Sequence, residues 1–217
     1  MKIVIVALSV FFFMSFSSCR KDGNVLVFEG KVTLGNTSDA PAGIMLSLRG
    51  KIVDDNSYGR EMELTTATAE SDGTYHIEID NVRASEFTLT IKKTEFFTVS
   101  KKIKGDEIAP GKPYQYNPVL YPKSYLKLHI ENVYAPKKEE DVVTVTVEHS
   151  SPSCTSCCAM ENKMFKGAGV DTVAVCNVYG NQTVHVKWIV NKGGEINNYA
   201  KDLECKASDT TVYTIDY

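Results

Sequence analysis

Charge of one sign is the first thing this sequence lacks. Its 24 Lys and Arg stand against 27 Asp and Glu, a formal net charge of -3, so no general basic field exists to draw nucleic acid. Reaction signatures are missing as well: there is no GxSxG elbow, no Gly-rich phosphate loop ending in Lys-Ser or Lys-Thr, and no HExxH helix. The chain has one tryptophan and four histidines, His76, His129, His149 and His185, scattered along strand-like segments. Long apolar runs are absent except at the start, where Ile3 to Met14 is apolar but for Ser9. That run falls short of the roughly 20 residues a membrane span needs.

What is present begins with an address. Lys2, the apolar run and the small residues Ser15, Ser17 and Ser18 follow the plan of a secretory signal peptide, predicted over 1–18. The signal ends in Phe16-Ser17-Ser18-Cys19, which resembles the lipobox of bacterial lipoproteins, with Phe16 where leucine is usual. The resemblance implies acylation of Cys19 and permanent attachment to a membrane, since each buried methylene adds about 0.8 kcal/mol. Ordinary cleavage near Ser18 would instead leave Cys19 as a spare thiol. Residues 19–24 form a linker; its five residues after Cys19 reach roughly 17 Å when extended. Arg20 and Lys21 suit a solvated linker and also anionic headgroups.

Beyond the linker the dominant period is two, with turn residues at short intervals and no convincing amphipathic helix. The fold class is therefore all-β, read as two tandem β-sandwich domains. Strands are expected near 25–34, 44–53, 61–69, 74–80, 86–93, 96–103 and 115–121, then near 124–133, 141–148, 171–178, 182–191, 200–206 and 210–217. Tyr121-Pro122-Lys123 interrupts the pattern, because proline cannot donate to a ladder and restricts its predecessor. Domains are accordingly expected over 25–122 and 123–217, each of a size to bury a modest core.

The first series carries VFEGKVTLGNTSDAPAGIMLSLRG, TTATAESDGTYHIEI and EFTLTIKKTEFFTV. In order, Gly30, the Pro41-Ala42-Gly43 turn and Asp72-Gly73-Thr74-Tyr75 resemble the carboxypeptidase regulatory-like, transthyretin-like β-sandwich of exported bacterial proteins. Independently, Asp72-Gly73 suits a tight turn, and Tyr75, Ile77 and Ile79 alternate as a buried face. The second series, ending LECKASDTTVYTIDY, reads as an Ig-like sandwich similar to the C-terminal part of small Bacteroidetes-type lipoproteins. Val184, Val186, Trp188 and Val190 share one strand face, which reads as core.

Chemistry-bearing candidates are few. His76 with Glu78, and His129 with Glu131, are His-x-Glu pairs whose members share a strand face. Either pair could hold a metal or shuttle a proton, but no third ligand is visible beside it, and an exposed polar face is the plainer reading. Asp54-Asp55-Asn56 offers oxygens at a spacing that fits no calcium loop. Lys92, Lys93, Lys101, Lys102 and Lys104 read as edge protection or a local basic patch.

Export makes disulfides possible, and with Cys19 set aside five cysteines remain: Cys154, Cys157, Cys158, Cys176 and Cys205. An odd number cannot all pair within one chain. A Cys176–Cys205 bridge and two free buried thiols fit the pattern equally. SPSCTSCC, residues 151–158, has the spacing of a redox or zinc half-site. A redox dithiol wants a helix N-terminus, and zinc wants four ligands, so Cys176, Cys205 or His149 would have to join. A loop over 149–165 stapled by disulfide is the favoured reading. The expectation is a non-catalytic envelope lipoprotein, an accessory or adhesive binding module without cofactor. Its partners would be the membrane through the N-terminal lipid and a protein, peptide or glycan ligand, not nucleic acid. Its expected place is the outer membrane, with a slight lean to the inward leaflet because no acidic cluster follows Cys19. The alternative is a metal-binding envelope protein using the Cys154–Cys158 loop.

Overall fold

The computed structural model describes residues 25–54, 57–149, 157–158 and 160–217. Cys19, the signal segment, Asp55, Asn56 and Cys154 lie outside them. Sixteen strands and one short 3-10 turn, Gly105–Glu107, make up the regular structure of the described residues. In the first half these are β1 (Val25–Lys31), β2 (Thr33–Leu34), β3 (Met45–Asp54), β4 (Ser57–Thr68), β5 (Thr74–Asp80), β6 (Ala84–Lys92), β7 (Val99–Lys104), β8 (Tyr114–Gln115) and β9 (Val119–Leu120). The second half has β10 (Lys123–Glu131), β11 (Val142–His149), β12 (Lys163–Lys166), β13 (Asp171–Tyr179), β14 (Gln182–Lys192), β15 (Glu195–Cys205) and β16 (Thr210–Asp216). The all-β reading holds.

Each half packs two sheets around its own core. The first sets β5-β1-β8, with the small β2-β9 pair, against β4-β3-β6-β7; the second sets β13-β10-β16 against β12-β11-β14-β15. Alternation explains both. On β3 and β6, Leu46 faces Ile91 and Leu48 faces Leu89 across the ladder, and all four are buried. Phe28 from the opposing sheet meets Phe87 edge to face at 5.4 Å. In the second half Leu126, Leu128 and Ile130 of β10 pack with Val143 and Val145 of β11 and Val184 and Val186 of β14. Trp188 and Val190 complete that face, with Trp188 stacked on Tyr199 at 5.5 Å.

Close backbone approach explains two glycines. A Cβ at Gly30 would stand 2.0 Å from the Tyr116 carbonyl oxygen, and Gly73 has φ +88 with the Val32 carbonyl oxygen 2.2 Å from any Cβ. Asp72 closes this turn by accepting from the Thr74 N–H at 3.0 Å and the Thr74 hydroxyl at 2.7 Å. Those bonds hold its carboxyl at about 2.

Several strand expectations needed correction. The stretch expected as one strand over 96–103 begins only at Val99, because Glu95 turns at φ 61 and Phe96 bridges to Pro122. The segment expected over 115–121 divides into β8 and β9, which pair in parallel with β1 and β2. The strand expected over 200–206 starts five residues earlier, at Glu195, in unbroken register with β14. A strand also stands inside the expected loop: β12 pairs with β11 from Val142↔Lys166 to Val145↔Lys163.

Between the two cores, Tyr179 sits 5.1 Å from Phe97 and 4.7 Å from Tyr121, ring to ring. Main-chain bonds from Gly180 N–H to the Pro122 carbonyl and from Lys123 N–H to the Glu95 carbonyl cross the same seam, at 2.8 and 2.7 Å.

Candidate functional site

On β10 the inward residues Leu128 and Ile130 force His129 and Glu131 to the outer face. Antiparallel pairing then sets Asp171 of β13 directly opposite Glu131, and parallel pairing sets Asp216 of β16 on its other side. The third ligand that the His129–Glu131 pair lacks locally is thus delivered by register. His129 Nε2 is 2.8 Å from Asp171 Oδ1 and 3.9 Å from Glu131 Oε2, and one ligand atom from each of the three residues falls within 4.8 Å of the others. Carboxylates placed side by side across a sheet repel. A cation, whether the imidazolium or a metal ion, relieves that repulsion, and an imidazole with two carboxylates suits zinc with water completing its shell.

The other His-x-Glu pair is built differently. His76 is bracketed by Glu78 Oε1 at 3.0 Å and Glu29 Oε2 at 3.1 Å, one on each ring nitrogen. These bonds, Glu78 first, raise the imidazole above its ordinary value. A raised folded-state pKa contributes stability in full below the unfolded histidine value and loses it as pH rises through the folded one. Wild type should therefore lose about 1 kcal/mol or less relative to His76→Gln as pH rises from about 6 to 9, the ring being half exposed. Urea melts at both pH values check it.

The cysteines fall into distinct states. Cys158 is joined to Cys176, and Cys157 is also disulfide-bonded. Cys205 is a free buried thiol whose pKa burial pushes up. The contemplated Cys176–Cys205 bridge does not form, nor is Cys176 free. Cys176 pairs across the ladder with Leu126 and faces inward from one sheet, whereas Cys205 ends β15 in the other, opposite Gln182. The segment after β11 brings Cys158 to Cys176 by donating the Cys158 N–H to the Asn177 carbonyl at 2.8 Å. Sulfurs in disulfides have no thiolate to offer a metal, which leaves the Cys154–Cys158 zinc arrangement without Cys157, Cys158 and Cys176.

Of the five lysines, Lys102 and Lys104 lie where edge protection would put them, whereas Lys92 ends the inner strand β6 and Lys93 donates to the Ala42 carbonyl. β7 ends its sheet, with Lys102 and Lys104 outward, Lys102 pairing with Glu86 at 3.0 Å. Lys101 instead lies 5.9 Å from the Tyr116 ring. Trp188 is 9% exposed and belongs to the core.

Sequence reasoning missed the open face of β12-β11-β14-β15. Its outward residues include His185 paired with Asp202 at 2.5 Å and Lys187 with Glu148 at 2.6 Å. Beside them Met164, Ile189 and Ile196 are 64, 44 and 65% exposed. Register places Met164, Thr144, Ile189 and Asn198 in one row across four strands, with Ile196 one step along the edge strand. The only advance signal was an apolar residue such as Ile189 on the opposite face of a strand whose Val184, Val186, Trp188 and Val190 already filled a core.

No protein-family model matches the chain, and no curated protein matches it. Among solved structures it is similar to the shaft pilin SpaA from Lactobacillus rhamnosus GG, at 9% identity over 88% of this chain and 98% of that one, with TM-score 0.34. It is also similar to a streptococcal ancillary pilin, at 8% identity over 91% and 63% with TM-score 0.31, and to the major pilin of Streptococcus pyogenes, at 11% over 90% and 99% with TM-score 0.27. Likeness at that level carries no argument about this chain's activity.

Proposed function

We propose that the chain is a non-catalytic binding module of the bacterial envelope, anchored through acylated Cys19 and built from modules over 25–122 and 123–217. The observation that supports it is the outer face of β12-β11-β14-β15, where apolar side chains stand exposed beside a long edge strand. Exposed apolar groups on a rigid sheet are what a protein or glycan partner buries, and an edge strand offers main-chain groups to the same partner. The two His-x-Glu clusters, by contrast, lie on open faces where water is not excluded. The Cys158–Cys176 disulfide suits an oxidising compartment.

The test uses cells expressing the full chain, measured for retention on immobilised matrix proteins and glycans. Met164→Lys with Ile196→Lys should abolish retention while leaving surface amount unchanged; equal retention would remove this face from the reading. Radiolabelled palmitate should enter wild type and not Cys19→Ala, and failure to enter wild type would remove the anchor.

A second reading is favoured by one observation, the His129, Glu131 and Asp171 convergence. It makes the second sandwich a divalent-cation binder. Calorimetric titration with zinc should give one site, weakened about tenfold to a hundredfold or more in His129→Ala, since even groups one step removed from a metal cost that much. Heat indistinguishable between the two proteins would eliminate it.

A further inference from the structure

At one end of the second sandwich three polar side chains turn inward and meet. Asn132 follows β10 and is 1% exposed, while Asp141 precedes β11 and is 0% exposed. Lys192 ends β14, with its side chain 18% exposed. The Lys192 amine lies 2.5 Å from Asn132 Oδ1 and also donates to the main-chain oxygen of Tyr134. Asn132 Nδ2, the amide nitrogen, donates to Asp141 Oδ2 at 3.1 Å and to the Gly167 carbonyl at 3.2 Å. That same Asp141 oxygen is 3.8 Å from the Lys192 amine. Asp141 Oδ1 is buried with no hydrogen-bond partner among the described residues.

A plain ion pair accounts for part of this arrangement but not for its order. An amine is pressed against the carboxamide of Asn132, main-chain and side-chain oxygens fix both nitrogens, and one carboxylate oxygen lies 3.1 Å from the departing nitrogen and 3.8 Å from the attacking one. A nucleophile in contact with its electrophile in a fixed, largely buried pose removes most of the entropic barrier to reaction. A carboxylate bridging both nitrogens can carry the proton between them.

We propose that Lys192 and Asn132 become joined by an intramolecular isopeptide bond, with Asp141 as the proton carrier. Asp141 takes a proton from the Lys192 ammonium, and the neutral amine attacks Asn132 Cγ, forming the new C–N bond. Through Asp141 a proton passes from the attacking nitrogen to Nδ2; the Cγ–Nδ2 bond breaks and ammonia departs. The proton that Asp141 still holds leaves with it as ammonium, restoring the carboxylate. Nothing is oxidised or reduced, and no co-reactant is needed. The product ties the end of β10 in one sheet to the end of β14 in the other, across 60 positions of chain. It goes beyond the binding reading and does not depend on it: a covalent clamp between the sheets would keep this half of an exposed module closed under pulling or proteolysis.

The experiment is intact-mass spectrometry of the folded full chain after disulfide reduction, followed by fragment sequencing of a tryptic digest. Wild type should weigh one ammonia less than its sequence, and a branched peptide should join Lys192 to Asn132. Lys192→Arg keeps the positive charge but lacks the primary amine, so its full sequence mass should return; Asp141→Asn should slow or stop the loss. If Asp141→Asn does not fold, Lys192→Arg and the branched peptide still decide the matter. Wild type at full sequence mass after prolonged incubation overturns the proposal. So does an ammonia loss that persists in Lys192→Arg, because Asn132 would then have cyclised on its own main chain.

Discussion

Phe28→Ala should lower the stability of the first sandwich by about 3–5 kcal/mol and leave the unfolding of the second where it was. Phe28 is fully buried, meets Phe87 edge to face, and lies 6.3 Å from Tyr114, so its removal leaves a cavity between two sheets that short, paired strands cannot collapse to fill. A loss of that size is a large share of the roughly 5–15 kcal/mol that holds an ordinary domain. The second core shares no buried residue with the first, running from Leu126 to Tyr217, and it contains the chain's single tryptophan. Trp188 fluorescence therefore reports the second unfolding alone. Urea melts should show far-ultraviolet dichroism gaining an early transition in Phe28→Ala while the Trp188 transition keeps its midpoint. A tryptophan midpoint that falls in step would mean that the Tyr179, Phe97 and Tyr121 seam couples the halves into one cooperative unit, and would defeat the two-module reading.

How much of this could be read beforehand depended on distance along the chain. Strand alternation is local, so the Val184, Val186, Trp188 and Val190 face and the Tyr75, Ile77 and Ile79 face were visible in the sequence. β12 was not, because Lys163-Met164-Phe165-Lys166 is short and turns its methionine to solvent, which resembles a loop. Register was the larger gap. His129 and Glu131 could be paired by their spacing of two, whereas Asp171 arrives from 42 positions away through a ladder that the sequence does not display. The same holds for Lys192, which lies 60 positions from Asn132 and drew no notice as one lysine among many. For the cysteines the obstacle was sheet membership. Parity placed Cys176 on the face opposite Val173 and Val175, but only the topology shows that Cys205 sits in the other sheet while the segment before β12 reaches Cys176.

Replacing Cys158 and Cys176 together by alanine should cost the second sandwich about 3 kcal/mol, with the first untouched. Their separation of 18 positions sets the size, because a crosslink closing a loop of that order removes roughly 3 kcal/mol worth of freedom from the unfolded chain. The folded side adds a smaller term, since both residues pack against the core as partly buried groups. Two main-chain bonds act on the same segment: Val147 N–H donates to the Met160 carbonyl and Cys158 N–H to the Asn177 carbonyl, at 2.9 and 2.8 Å. If these alone held the segment, the double variant would melt within about 1 kcal/mol of wild type, the effect of a typical hydrogen bond or less. Dithiothreitol titration followed by Trp188 fluorescence separates the two accounts. A staple predicts that reduction of the wild type moves its midpoint at least as far as the variant's, because the reductant also opens the disulfide of Cys157, and Cys205→Ala, which removes a free thiol, should leave the shift caused by reduction unchanged.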